Sequence, residues 1–122
     1  MNNVEIIDIV SPTIKYIKEN LVPRIITARE KIQKEIEDLK ASVAGKRIDI
    51  ETAKASIEKY KAQQENVRNN REYDVLSKEI EFQTLEIELC EKRIREALAA
   101  EKAKNEEIAR STEALEEREK DL

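Results

Sequence analysis

Apolar residues recur at alternating steps of four and three through most of this chain. From Ile25 the series runs through positions 25, 29, 32, 36, 39, 43, 46, 50, 53, 57, 60, 64 and 67, and ten of its thirteen residues are apolar. The positions between are mostly Glu, Lys, Asp, Gln and Arg. Steps of three and four return to one side of a helix, so this is a coiled-coil seam held over about six heptads. A second series occupies 73, 76, 80, 83, 87, 90, 94, 97, 101, 104, 108, 111, 115, 118 and 122, with ten apolar residues of fifteen. Each series predicts one long helix.

Between them lies Val67-Arg68-Asn69-Asn70, and the step from 67 to 73 is six where a continuous seam wants seven. Asn tolerates left-handed geometry at a helix C-terminus, so the Asn pair reads as the close of the first helix and the start of a reversal. The predicted fold is all-α: a long antiparallel coiled-coil hairpin over 25–122, its first arm (25–67) spanning roughly 65 Å at 1.5 Å per residue. Polar seam residues suggest the register. Pairing positions that total 147 sets Gln64 against Gln83 and Lys46 against Glu101, at the cost of Arg29 near Arg118. That places the turn within about 69–76. The alternative total of 140 leaves Lys46 facing Ile94 and Glu101 facing Leu39.

Residues 1–24 form a separate N-terminal segment. Ser11-Pro12 reads as an N-cap followed by the first helical residue, where a missing N–H costs nothing. A short helix from Pro12 to about Leu21 aligns Ile14, Ile17 and Leu21, and Pro23 then breaks or kinks the chain. Val4, Ile6, Ile7, Ile9 and Val10 suit strand or helix equally.

Composition narrows the chemistry. The 122 residues include 23 Lys+Arg, 27 Asp+Glu, one Gly, one Cys and no His or Trp. Charged residues make up 41%, against about 25% in an ordinary domain, which suits long solvated helices. Without His there is no His general base, triad or ligand. One Cys excludes a CxxC redox pair and a cysteine-ligated zinc site, and one Gly excludes a Gly-rich phosphate loop. No nucleophile, base and oxyanion donor converge, so neither an enzyme nor a bound cofactor or metal is expected. No apolar stretch is long enough for a membrane span, and MNNVEIIDIV lacks the basic start of a signal peptide, so a cytoplasmic location is expected.

Two groups of residues stand out as candidate binding sites. At about 100° per residue, the stripe Val75, Phe82, Leu85 and Leu89 lies about 145° from the seam stripe of Leu76, Ile80, Gln83 and Ile87. One helix thus carries two nearly opposed apolar faces, and a two-helix hairpin buries one. The second face is expected to meet a protein partner or a second copy, giving a homodimer. The other group is Arg68, Asn69, Asn70, Arg71 and Tyr73, a small basic tip suited to phosphate or an acidic surface, with Tyr73 available to stack. Turn chemistry and solvated charge explain most of that tip, because two arginines are a small electrostatic footprint. Cys90, on the seam, reads as a small buried hydrophobe. Glu113, Glu116, Glu117 and Glu119 read as helix surface.

The stretch from Ile57 to Phe82 resembles a bacterial family of coiled-coil proteins that carry a four-cysteine zinc ribbon after the coiled coil. The core of the likeness is Val67-Arg-Asn-Asn-Arg-Glu-Tyr-Asp74, then Leu76 and Glu79-Ile80-Glu81. It continues through Glu86-Ile-Glu-Leu and Glu91-Lys-Arg-Ile94, covering about residues 50–96. The resemblance implies an antiparallel helical hairpin with Asn-Asn-Arg-Glu-Tyr at or near its tip. It also implies an adaptor role, binding a transcription factor or RNA. This sequence has no CxxC pair, so functions belonging to the ribbon are not carried over. Its first 24 residues look unlike the family. The expected function is therefore non-catalytic protein interaction or scaffolding, with RNA binding through the basic tip as the alternative.

Overall fold

The computed structural model describes residues 12–121, and the side chains of 115 and 118–121 fall outside that description. The expectations for Ser11, for the apolar start at 4–10 and for seam positions 115, 118 and 122 therefore lie outside the described residues. The described chain is helical, with no strand. Helix α1 covers residues 12–21, α2 is Val22–Asn66 and α3 is Asn70–Asp121. The two long helices pack against each other, so the fold is the expected all-α hairpin.

Pro23 does not interrupt the helix. The last five residues of α1, Ile17–Leu21, form a π-helical turn in which the Val22 N–H bonds to the Ile17 carbonyl. Tyr16 (φ −60°, ψ −46°) and Val22 (φ −63°, ψ −46°) on either side keep α-helical dihedrals. In a regular α-helix Pro23 would offer no N–H to the Glu19 carbonyl, and its ring would clash there. Widening the turn ahead of the proline removes the conflict while the backbone stays helical. The expected break is thus replaced by a local change of helix type.

Two units make up the hairpin. In Ile36–Glu107 the buried core is Ile36, Val43, Ile50 and Ala53, all from α2 and all on its predicted seam. Facing them, the α3 seam positions from Leu76 to Lys104 are half-buried. In the other unit, Ile14, Ile17, Leu21, Ile25 and Ile32 are half-buried, as are Ile108 and Ser111 of α3. There Arg29 Nη2 donates to Thr112 Oγ1 at 2.9 Å, and the Thr112 hydroxyl donates to the Ile108 carbonyl at 3.0 Å. Every predicted seam position of α2 is buried or half-buried.

The register differs from the preferred expectation. Gln64 pairs with Ser77, Lys40 with Glu101 and Arg29 with Thr112, and the two numbers in each pair total 141. Glu101 therefore meets Lys40, at 3.8 Å, and not Lys46. Gln64 meets Ser77 and not Gln83. The physical reason is the turn, which occupies only residues 67–69 and so lies ahead of most of the expected 69–76. A shorter connection pulls α3 back along α2 by about two turns of pairing, close to the alternative first set aside. It also gives Arg29 a neutral hydroxyl, that of Thr112, as its partner.

Truncating Ile50, only 8% exposed, is expected to cost about 2–4 kcal/mol, while Ile48→Ala, at a site 67% exposed, should change stability by less than about 0.5 kcal/mol. Chemical denaturation of the two variants checks this contrast. The register has its own test in a Cys90→Ala background. Cysteines replacing Lys40 and Glu101 should cross-link within one chain far more readily than cysteines replacing Lys46 and Glu101.

Candidate protein-docking face and hairpin tip

The turn is built by the start of α3. Asn69 Oδ1 accepts the Glu72 N–H at 2.8 Å, and the Asn69 carbonyl accepts the Tyr73 N–H at 3.3 Å as the first backbone bond of the new helix. Asn69 is thus the N-cap of α3, a role that satisfies one of the orphan donors of the first turn. No described residue has a positive φ, so the Asn pair does not close α2 with a left-handed residue. The sequence carried a signal for this. Asn69 followed three positions later by Glu72, ahead of an apolar series, is the spacing of a helix start.

From the other side, Gln64 ties the turn down. Its Nε2 donates to Ser77 Oγ at 2.7 Å and to the Tyr73 carbonyl at 3.1 Å. Asn66 Nδ2 donates back to the Ala62 carbonyl at 3.3 Å at the end of α2. Gln64 was legible as a polar seam residue, but its partner depended on the register. Tyr73, assigned to the seam, is 49% exposed. In the observed register its counterpart is residue 68, which lies in the turn, so no helix covers it.

The predicted tip residues divide. Arg68, Asn69 and Arg71 line an open groove with Gln63, Asn66, Val67, Glu72, Val75 and Leu76. Asn70 and Tyr73 do not line it and are solvent-exposed. Glu72 stands among the arginines, so the groove gathers two positive charges and one negative. That is a weak field for a polyanion.

The second apolar stripe is where the sequence places it. Val75, Phe82, Leu85 and Leu89 are 54%, 54%, 56% and 44% exposed, so α2 leaves this side of α3 open. Val75 also lines the tip groove, which joins the groove to the upper end of the stripe. The Thr84 hydroxyl, close by, is taken up by its own helix, donating to the Ile80 carbonyl at 2.8 Å. Cys90 is half-buried on the seam. Among the described residues no group of three His, Cys, Asp or Glu side chains is placed to hold a metal ion, and no helix is long and apolar enough to cross a membrane.

Comparison with family models, with characterised proteins and with solved structures gives no match to this chain.

Asn69→Ala should cost about 1 kcal/mol, the ordinary value of an N-cap, whereas Asn70→Ala should be close to neutral. Thermal melts of both variants, followed by helix content, check which asparagine carries the turn.

Proposed function

We propose that this chain is a non-catalytic, cytoplasmic coiled-coil module that docks or scaffolds proteins through Val75, Phe82, Leu85 and Leu89. One observation carries the reading. Four large apolar side chains share the side of α3 turned away from α2, and each stays about half exposed. Such residues scattered singly are ordinary on any surface. Collected at spacings of seven, three and four on one helix, they make a patch suited to the apolar stripe of another helix. The likeness of residues 57–82 to the adaptor coiled coil of zinc-ribbon proteins points the same way.

Changing Phe82 and Leu89 to Glu tests it. Both side chains lie outside the seam, so the variant should keep its helix content and its intramolecular stability. It is expected to lose self-association or partner capture, because an unpaired charge in an apolar contact costs several kcal/mol. Unchanged molar mass, melting and partner binding would refute the reading. Binding to single-stranded RNA that weakens steeply with salt and is lost in Arg68→Ala/Arg71→Ala would favour the tip instead.

A further inference from the structure

The exposed stripe of α3 belongs to a longer series. Stepping by three and four from Arg71 gives Val75, Lys78, Phe82, Leu85, Leu89, Lys92, Glu96, Ala99 and Ala103, all solvent-exposed. This is a second heptad seam on the outer side of α3, within the unit Ile36–Glu107. Its charged positions select an occupant. From these positions we infer that the seam is completed by α3 of a second copy of the chain, running antiparallel about a two-fold axis near residue 87. This rests on the docking role proposed above and assigns that face its partner.

In antiparallel coiled coils the two kinds of seam position face each other across the interface. The register that pairs numbers totalling 174 sets Leu85 against Leu89 of the second copy, and Leu89 against its Leu85. Phe82 then meets Lys92 of the second copy, whose methylenes cover the ring while its ammonium reaches the ring face or solvent. Lys78 meets Glu96 of the second copy, and Val75 meets Ala99. Beside the seam the pattern repeats. Glu79 falls near Arg93 of the second copy, and Glu81 near Arg95. Symmetry makes each of these contacts twice. Glu86 and Glu88 sit beside the axis and meet their own counterparts, but each only once and at the exposed rim, where salt screens them.

A parallel pairing reverses this balance. In register it sets Lys78 against Lys78, Lys92 against Lys92 and Glu96 against Glu96. The neighbouring register, totalling 167, sets Lys78 against Leu89 and Lys92 against Val75, and brings Glu79 beside Glu86 twice. Lys78 ahead of the midpoint and Glu96 behind it, flanked by Glu79 and Glu81 ahead and Arg93 and Arg95 behind, thus favour one direction and one alignment.

Sedimentation equilibrium on the whole chain and on charge-swapped variants tests the proposal, with circular dichroism confirming that each remains helical. The wild type should be dimeric at tens of micromolar. Lys78→Glu or Glu96→Lys alone turns two attractive contacts into two repulsive ones and should raise the dissociation constant about tenfold or more. The two together should return it to near the wild-type value. A wild type that stays monomeric at several hundred micromolar overturns the second copy as the partner. If single swaps have no effect, or the double swap brings no recovery, while Phe82→Glu/Leu89→Glu still dissociates the dimer, the antiparallel alignment is wrong but the docking face stands. If Phe82→Glu/Leu89→Glu leaves the mass unchanged, both readings fall.

Discussion

A helix in a two-helix hairpin has one neighbour, and one neighbour covers one stripe. α2 obeys this limit, with its buried residues Ile36, Val43, Ile50 and Ala53 on a single line and mostly charged side chains elsewhere. α3 exceeds it. Its seam from Leu76 to Ser111 is at least half-buried against α2, and its other side still carries Phe82, Leu85 and Leu89. The unequal demand of the two helices follows from their residue patterns and holds in any register. That face of α3 stays open whatever α2 does, since no residue of α2 lies on its side of the helix.

Sequence periodicity reports that division well because it is a property of each helix alone. Steps of three and four fix which residues share a side before any tertiary contact is known. The buried set of α2 and the open set of α3 could therefore be read residue by residue. The relation between the helices could not, since it is set by how many residues the turn consumes. Lys46 opposite Glu101 looked complementary, yet an exposed ion pair is worth at most about 1 kcal/mol and cannot choose a register against turn geometry. Lys40 serves Glu101 as well, and its own side chain stays 64% exposed while that of Glu101 is 18% exposed.

The Asn pair illustrates a second limit. Asn suits both ends of a helix, so its type alone does not say which end it serves. The context does. Glu72, the third residue beyond Asn69 and the acidic residue of the first turn, favours the start of α3. Choosing the register from the polar pairs set the expected turn too far toward the C-terminus, and the three-and-four series placed Tyr73 in a seam it does not join. The tip was thus legible as a turn, but its side-chain roles were not.

The π turn ahead of Pro23 has a consequence for how the N-terminal segment tolerates change in length. The seam positions 14, 17, 21, 25 and 29, apolar except for Arg29, follow steps of three, four, four and four. A regular heptad alternates three and four, so this stretch holds one residue too many, in the manner of an insertion. Held to the 3.5-residue turn of the heptad seam, the surplus would swing Ile14 and Ile17 away from the seam line of Ile25, Arg29 and Ile32 by about 100°. A turn with more residues per revolution absorbs the extra one, and Ile14, Ile17, Ile25 and Ile32 all remain half-buried. Proline and insertion are therefore accommodated at the same place, and loss of a single residue between 17 and 22 would restore heptad phase on both sides of it.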